Sequence, residues 1–426
     1  MRINHLIGTI AILLLLTVAP WTSQARDNQM DSLKMFSEVL HLIEDNYVEE
    51  KDREDLIRGA IQGMLRNLDP HSSYVDMDQL RMMQEDFEGK FGGIGIQIGI
   101  RDGNLVVISP IEGTPAYEAG LEPGDIIMEI EGESTKDMGL TDAVSKIRGP
   151  KGEPVELTIL SEGSQTPEKV KIVRDDIPVH SVRSQELEPG YLHLRITDFK
   201  ATTTDDLKEE IRKYSSEKEI RGIVLDLRNN PGGLLDQAVS VSDIFLDDGL
   251  IVYTQGREEA QRKDYTATSS AKDVTSPMVV LINAGSASGS EIVAGALQDR
   301  NRALLLGEPT FGKGSVQSIL PVADGSAIKL TIANYYTPEG RSIEAQGVVP
   351  DINIPRRVDA VNDDEQQQQE MQESMMQFHL DRPDERPDQE ERYSQEVQKL
   401  LEEDNQLRMA LELLRSMPRI QELSYN

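Results

Sequence analysis

Three serines, Ser286, Ser288 and Ser290, fall within five residues of the segment Asn283-Ala-Gly-Ser-Ala-Ser-Gly-Ser-Glu-Ile-Val. Twenty-five residues after the middle one stands Lys313, in the run Thr310-Phe-Gly-Lys-Gly-Ser-Val-Gln317. A serine hydroxyl attacks a carbonyl only when a base takes its proton, donors hold the developing oxyanion and a groove presents the substrate. No histidine lies in or near these turns, which makes Lys313 the better candidate base. A buried ammonium gives up its proton more readily than one in water, and the glycines flanking Lys313 let the backbone approach closely. An extended run from Lys313 puts Ser315 and Gln317 on its face, so Gln317 could orient the amine. The bland readings compete: Ser288 and Glu291 also form an [ST]-x-x-E capping box ahead of Ile292, Val293, Ala296 and Leu297, and most lysines are surface charges.

These turns need a frame. Gly222-Ile-Val-Leu-Asp-Leu227 is an apolar run followed by Arg228-Asn-Asn-Pro-Gly-Gly233 and a helix-like stretch to about Phe245. Met278 to Ile282 leads into the serine-rich turn and another helix, and Ala303 to Leu306 reads as a third strand. Strand, glycine-rich turn and helix in repetition imply an α/β region with a parallel or mixed sheet. Its two glycine-rich turns then share the carboxyl edge of the strands.

Upstream, residues 87–175 change texture to short alternating strands and turns. The turn Phe91-Gly92-Gly93-Ile94 enters a strand, and consecutive backbone N–H groups there can hold a peptide's terminal carboxylate while the peptide adds as a strand. Ile94, Ile96, Leu140 and Val144 are placed to line the pocket for its last side chain. Before this module, Leu33, Phe36, Leu40 and Ile43 recur at helical spacing behind Asp31 or Ser32 as a cap, and Leu56, Ala60, Met64 and Leu65 do so again. Pro70 then breaks the helix, and His71 beside it reads as a structural contact.

Arg2, the apolar run Leu6 to Val18 and Ser23-Gln24-Ala25 have the three parts of a secretory signal, with cleavage expected after Ala25 and an uncleaved anchor as the alternative. The chain has no cysteine, which excludes disulfides, thiolate metal sites and a lipidated cysteine after the signal. A net charge of −31 argues against nucleic acid as a partner, since phosphates would be repelled over most of the surface. Six scattered histidines show no metal-binding spacing, and neither metal nor cofactor is expected. Residues 355–390 form a linker, acidic and carrying four consecutive glutamines, without a core pattern. In 391–426, Tyr393, Val397, Leu400, Leu407, Leu411 and Leu414 follow helical spacing, interrupted at Asp404. That stripe suits docking on its own domain and pairing with another subunit equally well.

Residues 87–175 resemble a PDZ domain, through the small-residue helix Ala116 to Ala119 and the Gly-Leu-x-x-Gly-Asp-x-Ile run that follows it. The serine turn, the Gly-Glu-Pro-Thr-Phe-Gly-Lys-Gly-Ser-Val-Gln run, the Asp-Leu-Arg-x-Asn-Pro-Gly-Gly turn and Tyr335-Tyr-Thr-Pro-Glu-Gly-Arg-Ser-Ile343 resemble the carboxyl-terminal processing, or tail-specific, proteases. These are the S41 family of Ser-Lys peptidases, and the likeness runs from about residue 31 to 353.

The resemblance implies a crotonase-like α/β catalytic core over 176–354, with the mainly β PDZ domain inserted ahead of it. Helical regions flank them at 26–86 and 391–426. It implies Ser288 as nucleophile, Lys313 as general base and Gln317 as its support. The oxyanion donors map to Gly289 and to Gly232 or Gly233. The family commonly has alanine where this chain has Gly289, which predicts a looser turn. Protein substrates with free C-termini, an adaptor or activator protein, a homo-oligomer and a periplasmic location in envelope protein turnover are the expectations that come with it. A catalytically silent PDZ scaffold or chaperone is the rival from another class. An acyl-CoA hydrolase on the same fold gives no reason for the PDZ module.

Overall fold

A computed structural model describes residues 21–357 and 389–424, apart from 102, 162–163, 165 and 270–273. Most of the expected signal segment and nearly all of the linker lie outside the described residues. Among the described residues, no helix is long and apolar enough to cross a membrane. The chain divides into two compact units, one comprising residues up to Asp76 with Ile319–Leu330, the other Met77–Ser318 with Thr331–Asn426.

The first unit holds α1 (Trp21–Asn46), α2 (Arg53–Arg66) and β1 (Ser73–Val75), which pairs antiparallel with Ala327 to Lys329. Asp31 and Ser32 do not cap α1, because no helix breaker stands between Trp21 and Met30 and both residues fall inside the helix. The real cap in this unit is Asp52, whose carboxylate accepts from the backbone N–H of Glu54 at 2.7 Å. After Pro70 the turn is held by Asp69, which accepts from the N–H groups of His71 and Ser72 and from the Ser72 hydroxyl.

The second unit begins with α3 (Met77–Glu88). The PDZ module follows, with β2 (Lys90–Gly93), β3 (Ile96–Arg101), β4 (Asn104–Pro110), α4 (Pro115–Glu118), β5 (Ile126–Ile130), β6 (Glu133–Ser134), α5 (Leu140–Ile147), β7 (Pro154–Leu160), β8 (Glu168–Val173) and β9 (Asp175–Pro178). Its sheet runs β3-β4-β5-β7-β8 and leaves β3 at an edge, while β2 pairs with β9 where the chain enters and leaves the module. Inward residues of alternating strands, such as Val155, Leu157 and Ile159, meet Ile127, Ile130, Ala143 and Ile147 in its core. Buried Arg174 closes the end of α5 by donating to the carbonyls of Lys146 and Ile147.

The catalytic part contains β10 (Val182–Glu188), β11 (Tyr191–Ile196), α6 (Thr203–Glu217), β12 (Gly222–Asp226), α7 (Leu235–Phe245), β13 (Leu250–Gln255), β14 (Lys263–Thr266), β15 (Met278–Ile282), α8 (Gly289–Asp299), β16 (Leu304–Gly307), β17 (Ser315–Pro321), β18 (Ala327–Tyr336) and β19 (Ile352–Asn353). Two further helices, α9 (Gln389–Glu403) and α10 (Asn405–Ser424), end the chain. The main sheet runs β10-β11-β12-β15-β16-β19 and is parallel from β11 onward. Every residue of β12 and β15 is buried, as a sheet covered on both faces requires. Ile223, Leu225, Val280 and Ile282 face α6, α7 and α8, whereas Val224, Val279 and Leu281 face Leu407, Leu411 and Leu414 of α10. The C-terminal stripe is therefore spent inside the chain. Each of those leucines is almost fully buried, worth about 1.5–3 kcal/mol apiece.

Candidate active site

The parallel sheet delivers the two glycine-rich turns side by side. After β15, Asn283 organises its own turn: its side-chain Oδ1 accepts from Gly285 N at 3.0 Å and, across the gap, from Asn229 N at 2.9 Å. Ser286 and Ser290 are both completely buried. The Ser286 hydroxyl donates to the Leu227 carbonyl at 2.8 Å and that of Ser290 to the Asn230 carbonyl at 2.9 Å. These two serines join the turns together and have no freedom to react.

Ser288 differs. It keeps 8% exposure and sits at φ 53°, ψ −110°, a conformation that costs a residue with a Cβ roughly 1–3 kcal/mol. The predicted capping box forms, with Ser288 N–H donating to Glu291 Oε2 at 2.8 Å. The Ser288 hydroxyl meets the Tyr335 hydroxyl at 2.9 Å.

Gly232, at φ +102°, presses against this residue: a Cβ there would stand 2.7 Å from Ser288 Cβ and 2.8 Å from Gly289 N. Only glycine lets the turns approach so closely. Of the two glycines named as oxyanion donors in this turn, Gly232 is already engaged, its N–H donating to Asn230 Oδ1 at 2.9 Å. Among the described residues, the N–H groups of Gly233 and Gly289 have no acceptor. The Gly232–Leu234 backbone is zipped to Phe199, through Phe199 N to Gly232 O at 2.9 Å and Leu234 N to Phe199 O at 2.8 Å. Phe199 also explains Gly289. A Cβ at 289 would lie 2.9 Å from its ring, so the ring fills the space an alanine methyl would take, and the turn is packed where looseness was expected.

Glu291 is the hub between the Ser288 turn and the Lys313 loop. Its buried carboxylate accepts from Ser288 N, from Thr310 Oγ1 at 2.5 Å, from Gly312 N at 2.7 Å and from Lys313 N at 3.0 Å. Burial pushes its pKa up, and those four donors offset part of that. Ser288 and Lys313 thus hang from the same carboxylate oxygen, Oε2, with Lys313 part-buried beside it. Gln317 lies on the same strand face as Ser315 and donates to its hydroxyl at 3.0 Å.

Farther back, Asp226 and Arg228 fix the start of the Asn230–Gly233 turn. The Arg228 guanidinium donates to Asp226 Oδ1 at 2.9 Å, to Asp404 Oδ1 at 3.0 Å and to Gln406 Oε1 at 2.9 Å, and all four residues are buried. Burial opposes charge on Asp226 and Asp404, but hydrogen bonds from His193 and Arg228 to the first, and from Arg228 to the second, hold both below the ordinary carboxylate range. Asp404, the break in the C-terminal stripe, also accepts from Gln406 N and Leu407 N and so starts α10.

In the PDZ module a cavity of about 260 Å³ opens between β3 and α5. Phe91, Gly93, Ile94, Ile96, Leu140 and Val144 line it. Gly92 is turned away: a Cβ there would meet the Gly149 carbonyl at 2.1 Å, so it serves close backbone packing. Arg148 stacks over the Phe91 ring, 4.0 Å from its centroid, and adds a cation at the cavity rim.

Sequence reasoning missed Tyr335 and the Arg228–Asp404 pair. The only signals were Tyr335 opening the Tyr-Tyr-Thr-Pro-Glu-Gly-Arg run and an acid interrupting an apolar stripe.

Comparison with known proteins agrees with this architecture. The pattern of peptidase family S41 matches residues 190–354, that of a PDZ domain 106–161, and that of the activating protease CtpB N-terminal domain 17–79. A carboxy-terminal-processing protease of Bartonella bacilliformis is 44% identical over 337 residues, covering 78% of this chain and 77% of that protein. Carboxy-terminal processing protease CtpA of Bacillus subtilis is 38% identical over 331 residues, covering 76% and 69%. Among solved structures, a photosystem II D1 C-terminal processing protease is 29% identical with a TM-score of 0.44, over 75% of this chain and 92% of that one. An α/β serine-type peptidase carrying a PDZ domain is the class these features define. The chain belongs to peptidase family S41, among its carboxy-terminal processing proteases.

Proposed function

We propose that Ser288 is the nucleophile of an endopeptidase in which neutral Lys313 is the general base and Gln317 supports it. The observation that carries this reading is the contrast among the three serines: Ser286 and Ser290 are fully buried and consumed by backbone carbonyls, while Ser288 is strained, slightly exposed and stands beside the N–H groups of Gly233 and Gly289, which have no acceptor among the described residues. A substrate's C-terminus docks in the PDZ groove between β3 and α5 and adds to the edge strand, with an extended segment passing Ser288. The Ser288 proton moves to the Lys313 amine as Oγ bonds the carbonyl carbon, and the oxyanion takes the Gly233 and Gly289 N–H donors. Lys313 returns that proton to the leaving amine as the C–N bond breaks. Water then cleaves the acyl-enzyme by the same route.

The same proposal places the mature enzyme, freed of residues 1–25, in the periplasm, acting on envelope proteins. Adaptor-assisted delivery and homo-oligomer formation belong to it. Incubation with an unfolded protein bearing an apolar C-terminus, beside Ser288→Ala, tests the reading. Cleavage by the native chain alone supports it, and equal cleavage by both overturns it.

A further inference from the structure

Tyr335 is used by nothing described so far, yet it touches the reacting atom. Its hydroxyl lies 2.9 Å from Ser288 Oγ. Its ring is 3% exposed and embedded in the core beneath the parallel sheet, so the hydroxyl cannot swing away into solvent. Its backbone N–H donates to the Gly314 carbonyl at 2.7 Å, next to Lys313, and β18 pairs it with Thr254 of β13. One residue therefore reaches the nucleophile with its side chain and the base loop with its main chain.

We propose that Tyr335 is a catalytic residue, whose hydroxyl donates a hydrogen bond to Ser288 Oγ as the serine proton leaves for the base. This rests on Ser288 being the nucleophile.

A serine hydroxyl has two lone pairs and one proton. If the proton points to Lys313, the oxygen faces Tyr335 as an acceptor, and the phenol can supply a donor beside the backbone N–H of Glu291. Negative charge grows on Oγ as its proton departs, and a fixed donor in a dry site stabilises that charge without reorganising at the moment of reaction. The donor also weakens the nucleophile somewhat. For thiolates, nucleophilicity falls only about half as fast as the ionised fraction rises, and a serine far from ionised gains on the same balance. Tyr335 keeps its own proton throughout: the Oγ–H bond breaks, the amine gains that proton, and the Oγ–C bond forms. Burial pushes the phenol up to about 12, with the nearby Glu291 and Glu344 carboxylates adding to this against the Ser288 bond, so it remains a donor across the working range. Once the acyl-enzyme exists, the same donor faces the ester oxygen that leaves in the second half-reaction.

The test measures labelling of Ser288 by a fluorophosphonate, together with peptide cleavage, in the native chain, Tyr335→Phe and Ser288→Ala. Tyr335→Phe keeps the ring that fills the core. Its labelling rate and kcat should fall together by about tenfold to a hundredfold, with KM and the affinity for a C-terminal peptide unchanged. Site-specific replacement of Tyr335 by a fluorinated tyrosine, whose phenol ionises at lower pH, should make labelling fall away at an alkaline pH where the native chain still reacts. Silence of Ser288→Ala with native labelling rates in Tyr335→Phe, or an alkaline profile unmoved by the fluorinated residue, would overturn the role of Tyr335 alone. Labelling that persists in Ser288→Ala would instead overturn the nucleophile on which it rests.

Discussion

Two glycine-rich turns in this molecule are proposed to hold an anion, and they are tied down by different means. The PDZ turn, Phe91 to Ile94, is tied by its backbone, through the pairing of β2 with β9, with Gly149 N–H donating to the Gly92 carbonyl at 3.2 Å and Ala116 N–H to the Ile94 carbonyl at 2.8 Å. The turn from Asn230 to Gly233 is tied by Asn230 to its own Gly232, by Ser286 and Ser290 to the nucleophile turn, and by Arg228 to Asp404 of the C-terminal region. The carboxylate expected in the first site arrives already charged and needs only donors. The oxyanion proposed for the second would exist briefly, and donors assist it only if they are already in place. Side-chain ties are concentrated where the proposed charge is transient.

Breaking the side-chain ties around the serine turn should therefore lower turnover, and disturbing the PDZ turn should change capture. The largest effect is expected from Glu291→Ala. It leaves three buried N–H groups without their acceptor, at about 1–3 kcal/mol each, and separates Ser288 from Lys313. Steady-state kinetics should show kcat reduced by about 10²- to 10³-fold. A folded Glu291→Ala protein with native kcat would remove Glu291 from the hub.

Asp404→Asn comes next. The amide can still start α10, but Arg228 loses one of its two anionic partners; removing one member of a buried pair costs up to about 3–5 kcal/mol, and less here because Asp226 remains. A kcat lowered about tenfold with unchanged KM, beside weaker binding of a peptide aldehyde, would place the damage at the oxyanion turn. A change in KM alone would place it elsewhere.

The pair also sets an acid limit. Both carboxyls are depressed in the folded state, so between those values and the ordinary carboxylate range the unfolded chain binds more protons. Stability from them is fully present above the ordinary value and is lost as pH falls through the folded ones. Urea melts at decreasing pH should show a steeper loss in the native chain than in Asp404→Asn, and parallel slopes would contradict the pairing.

The smallest effect belongs to the PDZ site. Amidating a substrate's C-terminus should weaken capture severalfold with kcat unchanged, because a nest of N–H groups prefers an anion. Equal binding of both forms would mean that the groove reads side chains only.

What could be read in advance follows range along the chain. Ser288, Glu291 and Lys313 lie in short motifs that stand out in the sequence, though the roles proposed for Ser288 and Lys313 come from the family resemblance, and the apolar runs of β12 and β15 announce a sheet covered on both faces. Tyr335 is 47 residues from Ser288, and Asp404 is 176 from Arg228; no local pattern links such pairs. The terminal helices show the same limit. An amphipathic stripe states that a face wants cover, not what covers it. Leu407, Leu411 and Leu414 close the sheet of their own chain, while Leu33 and Phe36 of α1 remain exposed. The cap expected at Asp31 or Ser32 failed because a polar residue before an apolar repeat can equally sit inside a longer helix.

The most direct measurement is the pH dependence of Ser288 labelling by a fluorophosphonate, mapped by mass spectrometry in the native chain and in Lys313→Arg. The account predicts adduct on Ser288 and on neither Ser286 nor Ser290, at a rate that rises with pH in the native chain as the amine loses its proton. In Lys313→Arg it should be abolished at every pH, because guanidinium stays protonated. Adduct on Ser286 or Ser290, or native labelling of Ser288 in Lys313→Arg, would contradict the Ser288–Lys313 pair.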